Sequence, residues 1–463
     1  MERPNAWKQY DQQALAALED VSSRYKTYLD NGKTERECVI ETIELARANG
    51  YVDLNDAIKT GTPLKPGDKV YVNWMGKAVM LFHLGQKPLT KGINIVGAHI
   101  DSPRMDLKQN PFYEDGDFAY GDTHYYGGLK KYQWVARPLA LHGVVAKKDG
   151  TLVNVVIGED ENDPVVGLSD LLPHLAQEQM TKKATEVITG EGLDILLCGR
   201  PLVEDEEQKE PVKAMLLSIL KEKYDIEEED MLSAEIEVVP ADKARDFGLD
   251  RSMILGYGHD DRVCSFAAVE AILKLPAIPE STCCCLLADK EEIGSVGATG
   301  MQAKYFENAM AELLALTTPV YSELNLRRAL SACRMLSCDV SAGFDPLFAS
   351  AFEKKNAAFL GRGVCYNKFT GSRGKSGSND ANAEFIGRLR KIMDDNNVCW
   401  QTAELGKVDL GGGGTIAYIC ALYGMEVIDS GVAVLSMHAP LEIISKADLY
   451  EAVKAYSAFM ENA

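Results

Sequence analysis

The sequence predicts an α/β main domain interrupted by a mostly β insertion, and three observations carry that reading. Short apolar runs alternate with stretches of helical spacing before residue 101 and again after 250, the pattern of a mainly parallel sheet covered by helices. Residues 106 to about 250 change character, with turn signals at Asp149-Gly150 and Glu161-Asn162-Asp163-Pro164 and β-like runs such as Leu152 to Ile157. Five short acidic or histidine-bearing segments each fall where an apolar run stops. At 463 residues the chain suits two substantial domains. The expected bounds are 1–105 and 249–463 for the main domain and 106–248 for the insertion.

The elements follow in chain order. Trp7 to Tyr28 and Glu35 to Arg47 carry apolar residues at helical spacing, broken at Asn31-Gly32. Lys69 to Asn73, Lys77 to His83 and Gly92 to Gly97 are short runs of strand type, the last delivering His99. Within the insertion, Glu204-Asp205-Glu206-Glu207 and Glu227-Glu228-Glu229-Asp230 are charge runs expected on solvated loops or helix faces. Val263 to Leu275 forms a helix stopped by Pro276 and Pro279. Then come a buried strand from Cys283 to Ala288, a helix from Met301 to Leu314 and a short strand from Met335 to Cys338. Val432 to Ser436 is a strand ahead of His438, and Ser445 to Met460 a closing helix with Ser445 as its N-cap.

Bulk composition excludes several classes. The chain is 46% hydrophobic and 25% charged, ordinary for a globular protein, and its formal net charge is −20. That balance argues against nucleic acid, which wants a basic face, and against an anionic membrane surface. No apolar run reaches the roughly 18 residues a bilayer span needs, and no signal peptide is visible, so the expected location is the cytoplasm. Eleven scattered cysteines form no CxxC pair, and Cys283-Cys284-Cys285 in an apolar run are small buried hydrophobes.

The chemistry sits at the strand ends, where open α/β sheets bind their ligands. The segments are Gly97-Ala98-His99-Ile100-Asp101-Ser102-Pro103, His259-Asp260-Asp261-Arg262, Asp289-Lys290-Glu291-Glu292-Ile293-Gly294-Ser295, Cys338-Asp339-Val340 and Ser436-Met437-His438-Ala439-Pro440. Two histidines and several carboxylates form a ligand set suited to a pair of zinc-like ions, and a glutamate pair leaves one carboxylate free as a base. A lone histidine after a strand is more often a satisfied core residue. In His99-Ile100-Asp101, however, the two polar residues share one face of an extended chain, so Asp101 can orient the imidazole. Asp260-Asp261 alone could be a helix cap. Glu291-Glu292 alone could be an exposed turn, but the apolar run upstream makes an idle carboxylate pair costly. His83, His124, His142 and His259 take the structural reading. Gly371-Ser372-Arg373-Gly374-Lys375-Ser376 is not a phosphate loop, because GxxxxGK[ST] needs glycine where Phe369 stands. Gly411 to Gly414, including Gly413, lets backbone approach a substrate.

The order HxDSP, Asp-Asp-Arg before a helix, DxEEIGS, an aspartate after a short strand, and MHxP near the end resembles the aspartyl aminopeptidase and aminopeptidase I family of dizinc exopeptidases. The resemblance spans nearly the whole chain. It implies a zinc-peptidase-like three-layer α/β/α domain with an inserted oligomerisation domain, and a metallo-aminopeptidase acting on peptides with a free N-terminus. It further implies that His99 and Asp339 bind one zinc, Glu292 and His438 the other, that Asp260 bridges them, and that Glu291 is the general base with Asp101 orienting. Cobalt or manganese also suits such ligands. A homo-oligomer, a dodecamer built from dimers, is implied as well, with His174 of Leu172-Pro173-His174-Leu175-Ala176 reaching a neighbouring subunit. The chain departs from the family pattern in two places. Asp260 is followed by Asp261-Arg262 rather than Asn-Leu, which keeps Asp261 a contender for the bridge. Lys407-Val408-Asp409 stands where the family has Arg-x-Asp, so Lys407, with Lys368, is either a receptor for an acidic side chain or a surface lysine. Acidic and neutral N-terminal residues both remain open. A deacylase or carboxypeptidase of the same broad fold, and a non-catalytic zinc-binding scaffold, are the alternatives.

Overall fold

The cysteine run Cys283–Ala288 and the His99 strand Asn94–His99 lie side by side and parallel at the centre of a nine-stranded sheet. The computed structural model describes residues 3–202, 209–371 and 373–463. The acidic stretch Glu204 to Glu207 and Ser372 therefore lie outside the described residues. Contacts divide the chain into two units. One comprises residues 1–101, 244–437 and 442–463; the other comprises 102–243 and 438–441.

In the first unit the strand order is Val52–Asp53, Lys69–Trp74, Ala78–His83, Cys283–Ala288, Asn94–His99, Arg334–Cys338, Glu426–Gly431, Val364–Asn367 and Trp400–Thr402. The four from Cys283–Ala288 to Glu426–Gly431 are mutually parallel, so their carboxyl ends share one edge. Alternate residues feed two cores, as a sheet buried on both faces requires. Val79, Leu81, Val96, Cys283 and Cys285 face one core, shared with the helices Gln12–Asn31, Glu35–Ala48, His259–Leu273, Ala383–Asp395 and Lys446–Asn462. Met80, Phe82, Ile95, Cys284 and Leu286 face the other, shared with Tyr305–Thr317 and Glu323–Ser331. The result is a three-layer α/β/α unit. The eleven cysteines are free, and the 283–285 run is fully buried among apolar neighbours.

Several expectations shift. The first helix splits, because the Asp11 carboxylate accepts from Ala14 N and starts a new helix at Gln12 after a short 3-10 turn at Ala6–Gln9. The helix expected from Met301 begins only at Tyr305. Ser445 does cap the closing helix, accepting from Ala447 N. The strand before His438 is the main correction. It spans Ala433–Leu435 and belongs to a separate five-stranded sheet with Arg245–Phe247, Met253–Gly256, Glu442–Ser445 and Ser341–Ala342. The fourth parallel strand of the main sheet is instead Glu426–Gly431. The chain changes sheet after Gly431, where any Cβ would stand 1.9 Å from the Asp339 carbonyl oxygen.

The second unit is built on an antiparallel six-stranded sheet, ordered Leu152–Ile157, Leu139–Ala146, Ala234–Pro240, Arg104–Asp115, Phe118–Tyr126 and Ile195–Cys198, with one long helix, Pro211–Tyr224. Pro211 occupies the first turn of that helix, where its missing N–H costs nothing.

Candidate metal centre

Three neighbouring strand ends build the site. His99 ends its strand with Nε2 3.1 Å from Asp260 Oδ1, 3.9 Å from Asp339 Oδ1 and 4.0 Å from Glu291 Oε2. Its other nitrogen, Nδ1, lies 3.0 Å from the Asp101 carbonyl oxygen and 3.3 Å from Asp101 Oδ1, so Nδ1 carries the proton and Nε2 is left as a ligand atom. Ser265 Oγ donates to the His99 carbonyl, pinning the strand end to the helix behind it.

Asp101 has a second task. Its two oxygens accept from Glu291 N and Glu292 N, 3.1 and 3.2 Å away, and so hold the short 3-10 turn Glu291–Ile293. Lys290 enters that turn with φ 66° and Gly294 leaves it with φ 93°. The Asp289 carboxylate stays behind the turn, buried, bound by Lys290 Nζ and Thr299 Oγ1. Asp260 and Asp261 precede the regular part of their helix with non-helical backbone, and Asp260 N donates to Glu442 Oε2 at 3.0 Å.

Two groups with ligand atoms mutually within 4.8 Å share His99: one adds Asp260 and Glu292, the other Asp261 and Asp339. Asp260 is the better-placed aspartate towards His99, by its 3.1 Å contact. Burial and the charges of Asp339 and Asp260, against His99, drive the Asp261 carboxyl far above the usual carboxylate range. Burial first, then Asp339, pushes Glu291 up to about 8, with His99 opposing. For His99, burial works against protonation, but Asp101, Asp260 and Asp339 outweigh it and raise its pKa well above the ordinary value. Carboxylates crowded on one imidazole in a buried pocket repel one another without a cation between them, and histidine plus carboxylate oxygen is a zinc donor set. The residues present fit the metal.

A scan against family models matches residues 28–460 to the aminopeptidase I zinc metalloprotease family, M18. A probable M18 family aminopeptidase 1 of Clostridium acetobutylicum is 58% identical over 461 residues, covering 100% of this chain and 98% of the relative. The chain belongs to the M18 family. The crystal structure of an M18 aminopeptidase from Thermotoga maritima superposes with a TM-score of 0.95 at 44% identity, covering 100% of both chains. A structure of the Saccharomyces cerevisiae mApe1 dodecamer shares the fold, with a TM-score of 0.76 at 20% identity over 95% of this chain and 96% of that one. As an M18 member the protein is a zinc metallo-aminopeptidase, a hydrolase.

The remaining expected residues are not members of these two groups. His438, at φ 63°, groups with the second unit, its Nδ1 3.2 Å from the Gly128 carbonyl oxygen. His174 is exposed in that unit. Lys368 is paired with Asp380. Lys407 is exposed and lines a cavity of about 230 Å³ together with Arg373, Lys375, Gly411 and Gly412. Gly413 donates its N–H to Thr370 O, yet the crowding that demands glycine falls on Gly411, where a Cβ would stand 1.7 Å from the Leu405 carbonyl oxygen. Sequence reasoning missed two supporting groups. Glu442, buried, receives Asp260 N, and Asp429, buried, receives Thr415 Oγ1 at the end of the glycine-rich loop. Glu442 lies two residues beyond the MHxP segment, and the apolar Leu441, Ile443 and Ile444 around it are the sequence signal of its burial.

Proposed function

We propose that the protein releases the N-terminal residue of peptides at a two-zinc site, accepting acidic (Asp, Glu) or neutral residues. His99 and Asp339 would hold one ion and Glu292 and His438 the other, with Asp260 as the carboxylate shared between them. Glu291 is the general base and Asp101 the orienting carboxylate. The observation that carries this reading is the convergence of His99, Asp260, Asp339 and Glu292 beside a second, high-pKa glutamate. His438 rests on its Met-His-x-Pro motif. Bound zinc supplies an acidified water and polarises the scissile carbonyl.

The chain's own residues do the rest. Glu291, raised towards neutral pH by burial and by Asp339, takes a proton from the attacking water and returns it to the leaving amine. Asp101 keeps the His99 tautomer and the Glu291 turn in place together. The cations around the cavity at Lys407 support acceptance of an acidic side chain, while Lys368, spent on Asp380, is the weaker receptor. Gly413 lies in the loop that would border the substrate.

The inserted segment, 106–248, is proposed as the oligomerisation domain of a homo-oligomer, a dodecamer built from dimers, with His174 acting across an interface. Exposed Leu171, Leu172, Leu175 and Met180 around His174 support it, as does the dodecamer of the yeast relative. The free, mostly buried cysteines suit a cytoplasmic location.

The test is Glu291→Gln, assayed on Glu-, Asp- and Leu-initiated peptides with free and acetylated amino termini. Turnover of free-amine peptides should fall about 10²–10⁴-fold, with two zinc ions per chain retained by elemental analysis. Undiminished turnover would refute the base assignment, and cleavage of acetylated peptides by the native enzyme would point to a deacylase.

A further inference from the structure

A cleft of about 1220 Å³ opens in the first unit between the segment after Asp339, the adjacent strands Val364–Asn367 and Trp400–Thr402, and the helix Ala383–Asp395. Its charge runs against that of the molecule. The chain carries a net −20, yet the cleft is lined by five cations, Arg3, Lys354, Lys355, Arg362 and Arg390, and one acid, Glu353. Glu353 is occupied with its own turn, accepting from Lys355 N and Asn356 Nδ2. Among the described residues none of the five cations forms an ion pair or donates a side-chain hydrogen bond. Elsewhere in the chain most buried and many exposed charges are matched, from Arg104–Glu237 to Lys446–Asp246.

Two of the guanidiniums are held in place by stacking. Arg3 lies 3.7 Å from the centre of the Trp400 ring and Arg362 4.2 Å from that of Phe359. A stacked guanidinium is fixed in plane while its N–H edge stays free, the arrangement that receives a carboxylate or phosphate in bidentate fashion. The same stacking covers two rings that a nucleobase would need. Half-buried Phe359, Leu360 and Ile386 supply apolar surface between the cations. The volume exceeds the roughly 300–1000 Å³ of small-molecule sites. Cations and apolar side chains lining a cleft of that volume match an extended ligand that alternates acidic and apolar groups.

We propose that this cleft binds an acidic peptide segment, its carboxylates on the Arg3, Arg362 and Arg390 forks and its apolar side chains on Phe359, Leu360 and Ile386. The site is separate from the metal ligands, and binding there requires no turnover.

The experiment uses the native enzyme and a fluorescein-labelled, N-acetylated peptide alternating glutamate and leucine, followed by anisotropy at rising salt. Saturable binding that weakens with salt is expected, and the lysine–leucine counterpart should not bind. The double variant Arg362→Glu, Arg390→Glu should bind on the order of tenfold or more weakly, while hydrolysis of a small free-amine anilide stays at the native rate. If charge reversal prevents folding, Arg362→Lys with Arg390→Lys keeps the charge, removes the forks, and should still weaken binding several-fold. Absent saturable binding, or equal binding by the variants, would overturn the proposal. Displacement of the peptide by tripolyphosphate at lower concentration would make the cleft a phosphate site instead. A fall in native mass by light scattering in the variants would make it a contact between copies.

Discussion

Asp101 joins two parts of the centre that lie 190 residues apart in sequence. The HxD spacing made its link to His99 legible, since alternate residues of an extended segment share a face. Its grip on Glu291 N and Glu292 N was not legible, because that depends on Cys283–Ala288 pairing beside Asn94–His99. Asp101→Asn keeps the volume but turns one acceptor into a donor facing an N–H. Outer partners of this kind typically hold about 10–100-fold of metal affinity or activity. The expected outcome is a loss of that order in kcat, with zinc bound more weakly in competition with a chelator. Unchanged kcat with unchanged zinc affinity would show that the two N–H contacts do no positioning. His438 marks the opposite limit of sequence reading: its motif is plain, but its strand is short and lies in another sheet.

Elements with strong periodicity were placed well from sequence: the Glu35–Ala48 helix with its Thr34–Glu37 capping box, the Cys283–Ala288 strand, and the closing helix. The strand Glu426–Gly431 escaped because Asp429-Ser430-Gly431 has the composition of a turn. Those polar residues are buried for a reason only the fold reveals. Asp429 takes Thr415 Oγ1, Ser430 O takes Asp339 N, and Gly431 allows the close approach to Asp339 O. Gly431→Ala must move the backbone that carries Asp339, which costs about 1–3 kcal/mol by analogy with overpacked cores. Gly387→Ala is the matched control, sitting in the Ala383–Asp395 helix with nothing within 4 Å of its Cβ position. It should stabilise by up to about 1 kcal/mol. Urea unfolding of the two variants beside the native protein reads both signs at once, and a Gly431→Ala midpoint equal to the native one would dismiss the crowding argument.

At the scale of the whole molecule, the three-layer unit and the β-rich insertion follow from the change in patterning near residues 101 and 250, whereas the pH response follows from burial that no pattern displays. His259 looks like part of an acidic cluster in sequence, yet it is fully buried, with Nδ1 2.7 Å from Tyr25 Oη and Nε2 3.1 Å from the Ile254 carbonyl oxygen. Nε2 donates to the carbonyl and Nδ1 accepts from the hydroxyl, so the neutral ring satisfies both partners and a second proton has no acceptor. Burial lowers its pKa from 6.5 to about 3. Between those values the unfolded chain binds a proton that the fold refuses, so stability present above pH 6.5 is lost as the pH falls towards 3. Asp448 works in the other direction: burial raises it to about 8 against the N–H groups of Gly361 and Gly363, and its share of stability declines as the pH rises from 3.8 towards 8. Replacing His259 by glutamine removes the acid-side term while keeping a donor and an acceptor. With the metals stripped, so that proton-coupled metal loss does not contribute, the native protein should lose a few kcal/mol more than His259→Gln between pH 7 and pH 4, the order set by that shift. Urea titrations at several pH values give the two slopes. Parallel slopes would mean that the buried ring takes up its proton as readily folded as unfolded, and that the Tyr25–His259–Ile254 chain tolerates a charge.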